Sequence, residues 1–196
     1  NLANRVTLLR LVFALVSFIF LLLIQEDIWV TQWRVQAAWI AIVFFIVATA
    51  SDALDGYLAR RDNTVTAFGR IADPFVDKVI VCGSIVFLSC IPETAAYLRP
   101  WMVALILIRE FLVNGIRSYM ESIGVSFAAE MPGKIKMVLQ SLLIGFLMGV
   151  IAFGPEPPAW IHLASVLLLW STLALTVYSG CLYVVKAGRE LGSTEI

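Results

Sequence analysis

A chain of 196 residues with a net charge of zero has room for one domain and lacks the basic surface that nucleic acid requires. Hydrophobic residues make up 61% of it and the mean hydropathy is +0.92, which excludes an ordinary water-soluble fold. Several runs reach the roughly 20 apolar residues that cross a bilayer, so the reading is all-α: an integral membrane protein of six transmembrane helices, residues 1–196 forming a single domain.

Asn1 to Arg5 is polar and marks a short interfacial segment ahead of the first span, Val6 to Ile24. Acidic Glu26-Asp27 follows that span where a cleaved leader would carry small residues, which argues against a signal peptide. Thr7 and Arg10 lie near its start; the arginine either snorkels to the headgroups or points inward. Trp29 and Trp33 suit an interfacial aromatic belt, and the second span runs from Arg34 through Ala50 as helix into the segment that follows.

That segment, Asp52 to Asp77, organises the rest. Asp52/Asp55 and Asp73/Asp77 are spaced by three and four residues, so each pair occupies one helix face. Carboxylates beside long apolar runs cost several kcal/mol unless paired or metal-bound, so they are functional candidates. Brought side by side, four of them form a hard-oxygen cage suited to two Mg²⁺ or Mn²⁺ ions. Gly56 permits close approach to the backbone beside a ligand, and Arg60 presents a planar fork to phosphate oxygens. Asp62-Asn63-Thr64 marks a turn, and a third span begins near Gly69 and ends near Ile91, with Pro74 bending or beginning it.

Pro92 to Pro100 forms the next loop, and Trp101 to Tyr119 the fourth span, carrying Arg109, Glu110 and Arg117. The fifth, Gly133 to Phe153, contains Gly145-x-x-x-Gly149, a spacing expected to let helices pack closely. Gly154 to Pro158 is a turn, and the sixth span covers Ala159 to Val185 ahead of a short polar tail. Cys82, Cys90 and Cys181 lie in apolar runs without metal-ligand spacing and are read as packing residues; His162, far from the aspartates, is read as structural. Six spans put both termini on one side. All but Arg34 and Arg99 of the 14 basic residues fall there too, so the positive-inside bias makes that side cytoplasmic, with the polar cavity facing it.

Arg109, Arg117, Lys134 and Lys136 lie on the inner halves of spans four and five. Together they form a pocket for an anionic second substrate, unless Arg109 simply pairs with Glu110 or Glu121 and Lys136 snorkels. A transporter is the rival class, since intramembrane charges also mark ion pathways. Against it, the acids gather at one face and no inverted repeat is visible.

The order Asp-x-x-Asp-Gly-x-x-Ala-Arg, eight residues, then Gly-x-x-x-Asp-x-x-x-Asp resembles the signature of the CDP-alcohol phosphatidyltransferase family. Asp52, Asp55, Gly56, Ala59, Arg60, Gly69, Asp73 and Asp77 all match it. The resemblance implies transfer of a phosphatidyl group from a CDP-linked donor to an alcohol, with release of CMP. It puts two Mg²⁺ or Mn²⁺ ions on the four aspartates, with Asp73 and Asp77 in the catalytic set and Asp77 as the base for the acceptor hydroxyl. Thr7, Asp55, Gly56, Ala59, Arg60 and Gly69 would line the CDP end. NRVTLLR is similar to the family's N-terminal pattern, with Ala3 where many relatives have proline. Arg109-Glu110-Phe111, Arg117 and Gly133-Lys134-x-Lys136, followed by Gln140, resemble bacterial phosphatidylglycerophosphate synthases, although Met137 replaces a common threonine. That implies CDP-diacylglycerol and sn-glycerol 3-phosphate as substrates, Arg109, Arg117, Lys134 and Lys136 on the acceptor phosphate, and the bacterial inner membrane as the location. An inositol phosphate or phosphatidylglycerol acceptor stays open, and a homodimer is in keeping with the family.

Overall fold

In the computed structural model the described residues are 2–26, 31–62, 67–125 and 131–194, with side chains described outside 1–5, 31–32, 52–71 and 192–194. Seven helices account for nearly all of them: α1 (Leu2–Gln25), α2 (Thr31–Asp62), α3 (Ala67–Cys90), α4 (Pro92–Ala95), α5 (Pro100–Ser122), α6 (Met131–Ala152) and α7 (Ala159–Thr194). Apart from the single turn of α4, each runs opposite to its predecessor, so the bundle has two distinct ends.

Helix boundaries follow local chemistry. Pro92 and Pro100 open α4 and α5 after extended Ile91 and Arg99, using a ring whose missing N–H is an orphan at that position anyway. α5 stops where Gly124 takes a φ of 79° and Val125 N–H returns to the Met120 carbonyl at 2.9 Å, a Schellman closure. Gly154, at φ 80°, ends α6 in the same left-handed way. Pro74 sits inside α3 rather than at its start. Among the described residues the polar segment at the N-terminus is part of α1 from Leu2 onward, and the polar tail after Val185 is helical as far as Thr194.

α1, α2, α6 and α7 are long and apolar enough to cross a membrane. α3 and α5 match them in length, at 24 and 23 residues, but their charges (Asp73, Asp77 and Lys78; Arg109, Glu110 and Arg117) dilute the apolar stretch. The core runs down the bundle axis through Leu21, Ile85, Leu88, Ile106, Leu143 and Leu147, all fully buried. Leu8, Val12, Leu15, Ile19, Val43 and Ile46 face outward, as side chains do when the surrounding solvent is lipid.

α1 and α2 pack through small residues: Ala14, Ala37, Ala38, Ala41 and Ala48 are buried, and Ser17 donates to the Ala41 carbonyl at 2.9 Å. The close approach allowed by a glycine occurs at Gly83, where an added Cβ would come within 2.5 Å of the Phe18 ring. It does not occur at Gly145 and Gly149. A side chain at either would meet nothing within 4 Å, because that stretch of α6 borders an open groove rather than a neighbouring helix. The end holding the second half of α1 is built from Arg34–Glu93 (2.6 Å) and the hydrogen-bonded, stacked pair Tyr97–His162, which gives His162 the expected structural role. The three cysteines are free.

Candidate active site

The opposite end carries the candidate site, in two clusters that meet on α3. Asp73 and Asp77 are one helical turn apart and face α1, where Thr7 and Arg10 are spaced to match. Thr7 Oγ1 donates to Asp73 Oδ1 at 2.7 Å, and Arg10, only 1% exposed, forms an ion pair with Asp77 through Nη2. Arg10 therefore points inward rather than snorkelling, and its Nε reaches the Ala48 carbonyl of α2 at 3.4 Å. Pairing a cation this deep with a carboxylate offsets the cost of taking either out of water.

The second cluster centres on Glu110, whose side chain is 3% exposed. It accepts from Lys78 of α3 and Lys136 of α6, and its own neighbour Arg109 approaches to 3.4 Å. Arg109 also holds Ser179 Oγ at 2.9 Å through Nη2 and lies with its guanidinium carbon 5.8 Å from the centre of the Tyr183 ring, both on α7. Two glycines make room for it: a Cβ at Gly180 would be 3.3 Å from Arg109 Cγ, and one at Gly133 would be 3.6 Å from Nη2. Three helices thus bring three cations to one buried carboxylate, and α7 holds one of those cations, Arg109. Arg117 Nε and Gln140 Nε2 are buried with no hydrogen-bond partner among the described residues, and an orphaned donor of this kind costs about 1–3 kcal/mol unless a ligand meets it.

Of the expected acceptor residues, Arg109 and Lys136 are brought together, Arg117 is half-buried two turns beyond Glu110 on α5, and Lys134 is exposed at the start of α6. Arg109 does pair with Glu110, as the alternative allowed, but in company with Lys78, Lys136 and Ser179. Lys78 and Glu110 were passed over in the sequence reading as topology and pairing residues. The signal that picked out the aspartates, an ionisable group inside an apolar helix, applied to both. Asp52, Asp55, Gly56, Ala59, Arg60 and Gly69 have side chains outside the described residues; their backbones lie on α2 and α3.

Asp73 and Asp77 offer the hard oxygen donors that Mg²⁺ or Mn²⁺ prefers, and Thr7 fixes one of those carboxylates as an outer partner of a metal ligand does. No group of three or more acids, cysteines or histidines gathers among the described residues, so further ligands would have to come from Asp52 and Asp55.

The described residues thus form a helical bundle with four apolar helices of membrane length, two aspartates one turn apart on α3, and a cluster of cations gathered on Glu110 beside them. Residues 1–178 match the CDP-alcohol phosphatidyltransferase family, and the chain belongs to it. It is 33% identical to the CDP-diacylglycerol--glycerol-3-phosphate 3-phosphatidyltransferase of Bacillus subtilis, covering 100% of this chain and 99% of that protein. A protein of the same description from Yersinia enterocolitica is 31% identical over 97% of each chain. The probable phosphatidylglycerophosphate synthase of Mycobacterium tuberculosis is 34% identical over 98% of this chain and 84% of its own length.

Proposed function

We propose that the chain transfers the phosphatidyl group of CDP-diacylglycerol to sn-glycerol 3-phosphate, giving phosphatidylglycerol phosphate and CMP. The observation that carries this reading is the juxtaposition on α3 of Asp77, one of the carboxylate pair, and Lys78, in the buried basic cluster. A donor diphosphate needs the first environment and a phosphorylated acceptor the second. The names of the relatives point the same way.

Asp73 and Asp77, with Asp52 and Asp55, would hold two Mg²⁺ or Mn²⁺ ions, which when bound offset the charge of the diphosphate and of the departing CMP. Thr7 and Arg10 orient the two α3 carboxylates. Thr7, Asp55, Gly56, Ala59, Arg60 and Gly69 line the nucleotide end. Asp77 accepts the hydroxyl proton of the acceptor. Arg109, Arg117, Lys134 and Lys136 receive the acceptor phosphate, a dianion suited to charge-assisted hydrogen bonds from a guanidinium fork and ammonium groups. Choline or ethanolamine would have no use for such a pocket.

All six long helices cross the membrane in this reading, with the aspartates and both ends of the chain on the cytoplasmic side of the bacterial inner membrane and a homodimer as the assembly. α3 and α5 tolerate the bilayer because most of their charges are paired, Asp77 with Arg10 of α1 and Lys78 with Glu110, and at 1.5 Å per residue each spans about 35 Å, more than the hydrocarbon core of roughly 30 Å.

The test is CMP release from CDP-diacylglycerol with a panel of acceptors: glycerol 3-phosphate, inositol phosphate, serine and phosphatidylglycerol. Release should require glycerol 3-phosphate and Mg²⁺ or Mn²⁺, and Asp52→Asn and Asp73→Asn should each abolish it. Turnover that persists in excess chelator would refute the metal role, and preference for another acceptor would refute the assignment of the basic pocket.

A further inference from the structure

Glu110 is bonded to the groups that a bound phosphate would need. Its Oε1 accepts from Lys136 and Arg109 and its Oε2 from Lys78, so all three cations of the cluster are committed to this one carboxylate. Two oxygens serve three donors, and three positive charges against one negative leave two in excess. A phosphate monoester brings three oxygens and, as a dianion, the two negative charges that balance the cluster with Glu110 still nearby.

The cations have anchors of their own. Arg109 donates to Ser179 Oγ through Nε at 3.2 Å and Nη2 at 2.9 Å, and lies against the Tyr183 ring. Lys136 is held by the packing that encloses it, and Lys78 follows Asp77 directly on α3. Lys78 is the most exposed of the three and marks the mouth of the cluster. A displaced carboxylate also has somewhere to go. Gln140, fully buried one turn beyond Lys136 on α6, carries an Nε2 with no hydrogen-bond partner among the described residues. Burying a carboxylate away from its partners is costly, and an unused amide donor on the adjoining turn lowers that cost.

We propose that Glu110 stands in for the acceptor's phosphate while the site is empty, so that binding exchanges one anion for the other on Lys78, Lys136 and Arg109. This rests on the acceptor being the phosphomonoester assigned above. The exchange has a use at the end of the reaction. Phosphatidylglycerol phosphate keeps the acceptor's phosphate, so a pocket that gripped glycerol 3-phosphate tightly would also retain the product. As the product leaves, Glu110 takes the cations back, and none of them is left buried without a counter-charge.

The experiment titrates inorganic phosphate into the unsubstituted enzyme, Glu110→Gln and Glu110→Asp in detergent, and reads the apparent Kd from the rise in Tm. Glu110→Gln removes the competing charge. Glu110→Asp keeps it but draws it back by one methylene, away from the cations. Both variants should bind phosphate about tenfold to a hundredfold more tightly than the unsubstituted enzyme. Tightening in Glu110→Gln alone would show the carboxylate acting by charge at a distance and would overturn the exchange. Unchanged or weaker binding in both would overturn it as well, by making Glu110 a support for the cations. A further measurement uses the unsubstituted enzyme carrying isotope-labelled glutamate. Saturating phosphate should shift one carboxylate stretching band in infrared difference spectra, a band missing from labelled Glu110→Asp; spectra with no such shift would overturn the proposal. If the unsubstituted enzyme releases no CMP with glycerol 3-phosphate, the transferase reading itself fails. Release of CMP with equal phosphate affinity in all three proteins overturns the exchange alone.

Discussion

Glu110→Gln removes one negative charge and almost no volume, and its effect follows from what surrounds the carboxylate. Lys136 is 2% exposed and has no route to water, while the Lys78 side chain, at 31%, can reach towards the headgroups. The substitution therefore strands one fully buried ammonium beside Arg109. Breaking a buried pair by removing one partner costs about 3–5 kcal/mol, because the remaining charge stays desolvated. For a chain of this size that corresponds to a fall in Tm on the order of 10 °C, read by thermal unfolding of the purified protein in detergent. Lys136→Met in the same background removes the stranded charge, so the double variant should recover at least half of the loss, a coupling of about 1.5 kcal/mol or more. Additive losses, with the double variant less stable than Glu110→Gln, would refute the view that Glu110 and Lys136 neutralise each other. A Glu110→Gln protein that unfolds at the normal temperature would refute it more directly.

Thr7→Val keeps the shape of α1 and deletes the 2.7 Å bond to Asp73. The Mg²⁺ or Mn²⁺ concentration giving half-maximal CMP release should rise by about 10–100-fold, the usual effect of losing an outer partner of a metal ligand, and an unchanged metal titration would count against that role. Gly83→Ala should destabilise the bundle by about 1–3 kcal/mol through the Phe18 ring, whereas Gly145→Ala should cost nothing and gain helix propensity; equal effects in unfolding measurements would contradict the packing described. Lys134→Ala should raise KM for glycerol 3-phosphate with kcat nearly unchanged, and an unaltered KM would move the acceptor phosphate elsewhere.

Part of the candidate site is legible in the sequence, because the features that mark it are local. Asp73 and Asp77 share a face through helical periodicity alone, and their setting in apolar sequence marks them as candidates without knowledge of any neighbour. The same periodicity led to the expectation of close packing at Gly145 and Gly149, and there it misled. Small residues permit a close approach, but a second helix must be present to use it. α6 turns those glycines to a groove, while Gly83, outside any such spacing, takes the contact with Phe18.

The amino-acid order by itself settled the helical character of the chain, the membrane length of its apolar helices, the spacing of its carboxylates and the family to which it belongs. Each of these depends on hydropathy and on residues at most a few turns apart. Tertiary structure alone decided that Arg10 turns inward to Asp77, that Glu110 gathers Lys78 and Lys136, and that Arg109 reaches Ser179. Those partners stand 67, 32, 26 and 70 positions apart in the chain, and only the packing of α1, α3, α5, α6 and α7 determines which charges share a space from which water is excluded.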